Sequence, residues 1–72
     1  MGVVMKTCSE RLRDLREDKD LTQTQVAKIL NTTQQVYSRY ENGINELPLH
    51  HLIALSKFYK KSTDYILGLC DE

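Results

Sequence analysis

The stretch QTQVAKILNTTQQVYSRY, residues 23–40, decides the fold of this 72-residue chain. A helix-turn-helix needs a small residue inside its first helix, a residue that tolerates positive φ at the turn, and apolar anchors on both sides. Ala27 meets the first requirement and Asn31 the second, because asparagine adopts left-handed backbone more readily than most residues. The apolar anchors are Val26, Leu30, Tyr37 and Tyr40. The spacing therefore predicts a helix over 23–30, a turn at Asn31 and a second helix over 34–41.

The second helix of this motif is predicted to have one polar and one apolar face. At about 100° per residue, an arc of about 140° is entirely polar. Its residues are Gln34, Gln35, Ser38 and Arg39, whereas Val36, Tyr37 and Tyr40 lie opposite. Glutamine pairs with adenine at N6 and N7, and arginine pairs with guanine at O6 and N7. A face that served only solubility would carry Lys and Glu, so the polar arc favours contacts with base edges of double-stranded DNA.

Periodicity and cap residues predict three more helices, over about 8–18, 49–59 and 63–67. Thr7 and Glu10 have the spacing of a capping box, which starts the first helix. Thr22 and Gln25 have the same spacing at the start of the 23–30 helix. Asp20, like Asn31, is expected to take positive φ.

Apolar positions on these helices define the expected core. In the first helix the inner residues are Cys8, Leu12 and Leu15, and the outward residues are Arg11, Arg13, Asp14 and Glu17. The fourth helix carries Leu52, Ile53, Leu55, Phe58 and Tyr59, and the fifth is expected to bury Ile66 and Leu67. Because alternating strand patterns are absent, the chain is predicted to be an all-α, compact five-helix bundle containing a helix-turn-helix, one domain over 1–72.

Composition sets limits on function. Ten Lys and Arg balance ten Asp and Glu, so the net charge is zero, which argues against strong non-specific affinity for phosphates. No apolar run approaches the roughly 18 residues of a membrane span, and no export signal is recognisable, so a cytoplasmic protein is expected. Cys8 and Cys70 lack the spacing of a zinc or redox motif and are expected to be reduced.

The sequence contains no recognisable catalytic, cofactor-binding or metal-binding motif. No nucleophile–base pair, carboxylate pair or phosphate-binding loop is recognisable, so an enzyme and a cofactor are not expected. A single domain of this size leaves no room for a ligand-sensing domain, so a small-molecule effector is not expected either. His50 and His51 are adjacent, with no further His or Cys placed to share a metal. They are therefore interpreted as surface residues, and no metal site is predicted.

Several motifs together resemble the lambdoid phage repressor and Cro family, the XRE-type helix-turn-helix regulators. The matching segments are Thr22-Gln23, Ala27, Thr32-Thr33-Gln34-Gln35, Ser38-Arg39-Tyr40-Glu41-Asn42-Gly43 and Ser62-Thr63-Asp64-Tyr65-Ile66-Leu67-Gly68. The resemblance covers about residues 7–68. It implies a lambda repressor-like DNA-binding domain in a bacterial or phage-encoded, nucleoid-associated transcription regulator. Such regulators are mostly repressors, and they bind palindromic operators as homodimers.

The resemblance also implies roles for particular residues. The DNA-binding set is Gln23 and Asn42 at phosphates, with Thr33, Gln34, Gln35, Ser38 and Arg39 on the helix that enters the major groove. Arg16 and Glu41 match a structural ion pair of the family. The chain departs from the family at Asp20 and Asn31, where glycine is preferred. It departs again at Ile44-Asn45-Glu46, where many relatives place Lys or Arg.

A homodimer interface is expected at the fifth helix and the residues that follow it, where apolar side chains exceed what the core needs. Its residues are Tyr65, Ile66 and Leu69. The alternative function is a protein-interaction module, an antitoxin or adaptor that keeps the helix-turn-helix core but binds DNA weakly or not at all. Zero net charge and the loop without basic residues favour this alternative. The polar helix face opposes it, because protein interfaces are enriched in aromatic residues and Met.

Overall fold

The computed structural model describes residues 7–69. Its elements are α1 (Cys8–Asp18), α2 (Gln23–Ile29), α3 (Gln34–Glu41), α4 (Leu49–Tyr59) and α5 (Thr63–Ile66). The predicted all-helical fold is confirmed, and no strand occurs between residues 7 and 69. Helices α2 and α5 each end one residue earlier than expected, because Leu30 and Leu67 are their C-cap residues.

Side-chain caps start four of these helices. The cap residues are Thr7, Thr22, Thr33 and Ser62. At the first two, the side chain three residues later returns a bond to the cap backbone, so both predicted capping boxes are confirmed. Helix α4 begins differently, at Pro48, without a side-chain cap. Each cap satisfies a backbone N–H that the first turn leaves without an intrahelical partner.

Residues with a left-handed backbone conformation allow the connections between helices to be short. Asp20 and Asn31 adopt φ of 55° and 58°, as predicted, and turn the chain from α1 to α2 and from α2 to α3. Gly43 ends α3 at φ 73°, where a β-carbon would be strained. Lys60 also takes positive φ, 57°, at the end of α4. The sequence did not predict that conformation, because lysine is an uncommon residue in the left-handed region.

The core lies between α3, which packs on α1 and α2, and α5, which packs on α1 and α4. Its buried apolar residues are Leu12, Leu15, Val26, Ala27, Leu30, Tyr37, Tyr40, Leu52, Leu55, Tyr59 and Ile66. Ala27 is 1% exposed, and its small side chain lets another helix approach α2 closely. The predicted role of this residue in the helix-turn-helix agrees with its position.

Several side chains lie elsewhere than the helical pattern indicates. Arg11, predicted to face outward, is 5% exposed, and its guanidinium lies 4.1 Å from the centre of the Tyr65 ring, because α5 packs against α1. His51, predicted to be a surface residue, is 8% exposed. Leu67, predicted to be buried, is 39% exposed at the C-cap of α5. On α4, the side chains of Ile53 and Phe58 are also exposed.

Residues 7–69 contain neither a membrane-spanning helix nor a metal-binding cluster. In that range no helix has both the length and the apolar character of a membrane span. The same range has no cluster of three His, Cys, Asp or Glu side chains placed for a metal ion. Cys8 is a half-buried free thiol whose pKa is raised by burial. Cys70 lies outside the described residues.

Candidate nucleic-acid interface

Helix α3 presents a polar face to solvent and an anchored face to the protein. Tyr37, Tyr40 and Glu41 are buried, which fixes the helix against α1 and α2. On the outer side Gln34, Gln35 and Arg39 are exposed. The half-buried Ser38 lies at the edge of this face, between the exposed cap residues Thr33 and Asn42. We call the outer residues from Thr33 to Asn42 the polar face of α3.

The buried end of α3 is held by a carboxylate. Glu41 has a fully buried side chain, and Arg16 donates to it from Nε at 2.7 Å and from Nη2 at 3.1 Å. Arg16 also donates from Nη1 to the backbone carbonyl of Leu21, at 2.8 Å. A bidentate arginine–carboxylate pair fixes both position and angle. The predicted pair therefore ties α1 and the start of the motif to the end of α3.

The pKa values of this pair reflect the contact. Burial raises the pKa of Glu41, but hydrogen bonds from Arg16 and Gln23, together with the nearby Tyr37 hydroxyl, outweigh it and hold that pKa below its usual range. The hydrogen bond to Glu41 raises the pKa of Arg16. Burial, followed by the nearby Glu41 carboxylate, raises the pKa of Tyr37. Glu41 is therefore ionised near neutral pH, and its charge is matched by Arg16.

A chain of hydrogen bonds connects the ion pair to the polar face. Gln23 donates from Nε2 to Glu41 Oε1 at 3.1 Å, and Gln34 donates from Nε2 to Gln23 Oε1 at 2.7 Å. An ionised carboxylate only accepts, so it turns the amide nitrogen of Gln23 inward and the amide oxygen toward Gln34. Gln34 retains one N–H and its Oε1 for a ligand. The sequence assigned Gln23 to a phosphate and did not predict these contacts.

Arg13 is a neighbour of the polar face that the sequence did not single out. Its side chain is half exposed, with Nε 3.7 Å from Glu41 Oε1 and Nη2 3.5 Å from Asn42 Oδ1. Asn42 in turn donates to Ser38 Oγ at 3.3 Å. Arg13 precedes Arg16 by three residues, and this helical spacing places both on the side of α1 that faces α3.

The expected dimer residues do not form one exposed set. Ile66 is fully buried in the core, so its assignment to a dimer interface was wrong. Tyr65 is half-buried between Arg11 and Lys61, whose charged groups lie 4.1 and 5.1 Å from its ring centre. Leu69 is 67% exposed. Ile66 faces inward because α5 is only four residues long and uses this side chain to contact the core.

The family model described as Helix-turn-helix matches residues 12–66 of the chain. YobD, an uncharacterized HTH-type transcriptional regulator of Bacillus subtilis, is 40% identical over 63 residues, which are 88% of this chain and 56% of YobD. ImmR, an HTH-type transcriptional regulator of the same bacterium, is 36% identical over 59 residues, 82% of this chain and 46% of ImmR. The chain thus spans about half the length of these curated relatives.

A solved structure with the same architecture contains DNA. The crystal structure of the P22 c2 repressor protein in complex with a synthetic operator superimposes with a TM-score of 0.82 and 28% sequence identity. The match covers 90% of this chain and 98% of that chain. The expected likeness to phage-type repressors is therefore confirmed in both sequence and structure.

Proposed function

The chain belongs to the helix-turn-helix family, and on this premise we propose that it binds specific sequences of double-stranded DNA and regulates transcription as a repressor. The observation that carries the proposal is the polar face of α3. Apart from the buried and paired Glu41, the charged residue of α3 is Arg39, which is exposed. This face therefore offers a positive charge and neutral donors and acceptors to a ligand.

The side chains of the polar face fit the major groove of DNA. Gln34 retains one N–H donor and one amide acceptor, which complement N7 and N6 of adenine. Arg39 supplies the paired donors that recognise guanine at O6 and N7. Asn42 and Arg13, at the end of the helix, are placed to contact phosphates. The P22 c2 repressor binds its operator with the same fold, which supports this assignment.

We further propose that the protein acts as a homodimer on a palindromic operator in the bacterial cytoplasm. One domain contacts few base pairs, and two-fold symmetry doubles the contacts. Leu69, together with part of Tyr65, remains available near the end of α5 for the second copy. Sedimentation on the preferred duplex should show two chains per operator, and a 1:1 complex would refute the dimer.

The loop after α3 is the observation that favours a second function. Ile44 is 65% exposed and Glu46 is also exposed, so this loop offers an apolar and an acidic side chain where the family resemblance implies basic residues. Such a loop suits a protein partner better than a phosphate backbone. A protein-interaction module with weak DNA binding is thus the competing proposal, and the experiment on DNA below separates the two.

Selection of binding sites from random duplex DNA tests the proposed function. We expect one preferred sequence, and R39A should weaken binding to it by about 1–3 kcal/mol while relaxing preference at one or two base pairs. K57A is the matched control, because it removes a basic side chain from the exposed surface of α4. If no sequence is enriched, and R39A and K57A behave alike, the protein-interaction function is favoured.

Substitution of Gln23 tests whether this residue only contacts a phosphate or also positions Gln34. A pure phosphate contact carries no base identity, so its loss should weaken all sequences equally. In this structure Gln23 also holds Gln34, at 2.7 Å. We therefore expect Q23A to weaken binding and to relax preference at the base pair that Gln34 contacts. Uniform weakening would leave Gln23 with the phosphate role alone.

A further inference from the structure

One imidazole is built into the interior beside the helix-turn-helix. His51 is the third residue of α4 and is 8% exposed, whereas its neighbour His50 is exposed. Its Nδ1 lies 3.3 Å from the hydroxyl of Tyr40, in a buried contact. The backbone carbonyl of Leu30 is also near the ring and favours its protonated form. A polar ring with two partners in the core has a more specific role than filling space.

The two partners belong to the two helices of the motif. Leu30 is the C-cap of α2, and Tyr40 lies in the last turn of α3. His51 approaches from α4, bonds to Tyr40 and has the Leu30 carbonyl nearby, so its ring lies between the end of one motif helix and the end of the other. Because Tyr40 precedes Glu41 and follows Arg39, a displacement of Tyr40 shifts the polar face directly.

Both contacts are satisfied by one tautomer of the neutral ring. The Leu30 carbonyl accepts only, so the ring nitrogen that faces it must carry the proton. Nδ1 is then an acceptor for the Tyr40 hydroxyl. Protonation would place a second N–H against that hydroxyl, whose oxygen could accept it only if the hydroxyl hydrogen turned away and lost its acceptor. It would also bury a positive charge in the first turn of a helix, where the backbone dipole disfavours cations.

We propose that His51 is a positioning residue for the DNA-binding surface: its neutral ring holds the ends of α2 and α3 together, and protonation of the ring releases them. The groups that face it are the Leu30 carbonyl from α2, the Tyr40 hydroxyl from α3 and the His50 ring from α4, whose centre is 4.2 Å away. The proposal rests on the proposed function only where it concerns DNA.

The direction of the pH effect follows from the surroundings of the ring. Burial, and then the charge of His50, lower the pKa of His51 below its ordinary value, and the nearby Leu30 carbonyl offsets this only in part. The unfolded chain therefore binds this proton more readily than the folded one. The contribution of the ring to stability is present above the ordinary imidazole pKa of about 6.5 and is lost as pH falls below it.

The direction in which DNA affinity changes with pH distinguishes this role of His51 from a simple phosphate contact. A histidine that merely lies near phosphates gains charge on acidification and strengthens binding. Release of the α2–α3 contact should instead weaken it. We expect the dissociation constant for the preferred duplex to rise between pH 7.5 and pH 5.5 in the wild type. H51Q carries an amide that donates and accepts but does not titrate, so it should lack this rise, whereas H50Q should keep it.

Unfolding experiments test the proposed role of His51 without DNA. In the unfolded chain, where the imidazole has its ordinary pKa of about 6.5, roughly ten molecules are protonated for each neutral one at pH 5.5. Between pH 7.5 and pH 5.5 the unfolding equilibrium constant should thus increase by up to about tenfold more in the wild type than in H51Q. If H51Q does not fold, an NMR titration of the wild type replaces it. His51 should then titrate below the ordinary value, and the Leu30 and Tyr40 signals should move with it.

The outcomes separate the two proposals. Absence of DNA binding at every pH would reject the proposed function and leave the unfolding result to decide the role of the ring. Equal pH dependence of unfolding in the wild type and H51Q would overturn the proposal for His51. A pH-dependent stability with DNA affinity that is flat, or that strengthens in acid, would also overturn it, because the ring would then hold the fold but not the DNA-binding surface.

Discussion

Replacing Glu41 by glutamine tests the contact on which the geometry of α3 depends. The change removes the charge of a fully buried side chain and leaves Arg16, whose side chain is 14% exposed, with an unpaired charge. Breaking a fully buried ion pair costs about 3–5 kcal/mol. Arg16 keeps the Leu21 carbonyl and the glutamine oxygen still accepts one bond, so we expect a loss of about 2–3 kcal/mol.

The effect of E41Q should depend on pH with a defined sign. The pKa of Glu41 is held below its usual range, so the folded state binds this proton less readily than the unfolded chain. The stability contributed by the carboxylate is therefore present above the ordinary Glu pKa of about 4.3 and is lost as pH falls through the lower folded value. Because glutamine resembles the protonated acid, the wild type should converge on E41Q in acid.

Urea unfolding between pH 7 and pH 3 measures both effects. E46Q is the matched control, because it makes the same chemical change at an exposed position and should alter stability by less than about 0.5 kcal/mol. If DNA is the ligand, E41Q should also relax base preference at the pair that Gln34 contacts, since Arg16 and Gln23 then compete for the single amide oxygen of the new glutamine. Equal stability of E41Q and E46Q at pH 7 would refute the reasoning, whatever their DNA affinities.

Three further changes have matched controls in the chain. K60G should raise the unfolding free energy by up to about 1 kcal/mol, because glycine relieves the left-handed strain at φ 57°, whereas K61G should not; a loss in K60G would contradict this. L55A should cost about 2–5 kcal/mol in urea unfolding, since Leu55 is fully buried, whereas L49A, at a 71% exposed side chain, should cost little; similar costs would be inconsistent with the core described. If DNA is the ligand, E46K should tighten binding. The slope of the logarithm of the binding constant against the logarithm of salt concentration should steepen by about 0.9 for one new phosphate contact. An unchanged slope would place this loop away from the DNA backbone.

Local features of the fold were predictable from the sequence because they depend on neighbours along the chain. Capping boxes need only a three-residue spacing, so those at Thr7 and Thr22 were found. The left-handed turns at Asp20 and Asn31 follow from side chains that tolerate positive φ. The left-handed conformation of Lys60 was not predicted, because lysine does not favour it; here Lys60 is the C-cap of α4, and the N–H groups of Lys60 and Lys61 both donate to the Ser56 carbonyl.

Features that depend on helix packing were not predictable in the same way. Arg11 occupies an outward position by helical periodicity, yet Tyr65 of α5 lies over its guanidinium. His51 follows an exposed histidine and becomes buried because the start of α4 meets the last turn of α3 at Tyr40. Periodicity describes one helix at a time, so it cannot show which partner covers a charged or polar side chain.

In the candidate site, too, features of a single helix were predictable from the sequence and contacts between helices were not. The outer residues of α3 were predicted from the polar arc, because exposure on a two-faced helix follows from the apolar residues opposite. The Arg16–Glu41 pair came from the family resemblance rather than from spacing. The link from Glu41 through Gln23 to Gln34 depends on side-chain geometry across two helices, and only the structure supplied it.

Zero net charge becomes compatible with DNA binding once the charges are located. The acid of α3, Glu41, is buried and neutralised by Arg16, so the polar face carries the charge of Arg39 without compensation from its own helix. Arg11 and Lys61 lie over the Tyr65 ring, where they stabilise α5 and are not directed at a ligand. Of the described cations, Arg39 and Arg13 lie at the polar face. If DNA is the ligand, we expect affinity to come mainly from directed hydrogen bonds, which favour one sequence over others and lose little strength in salt.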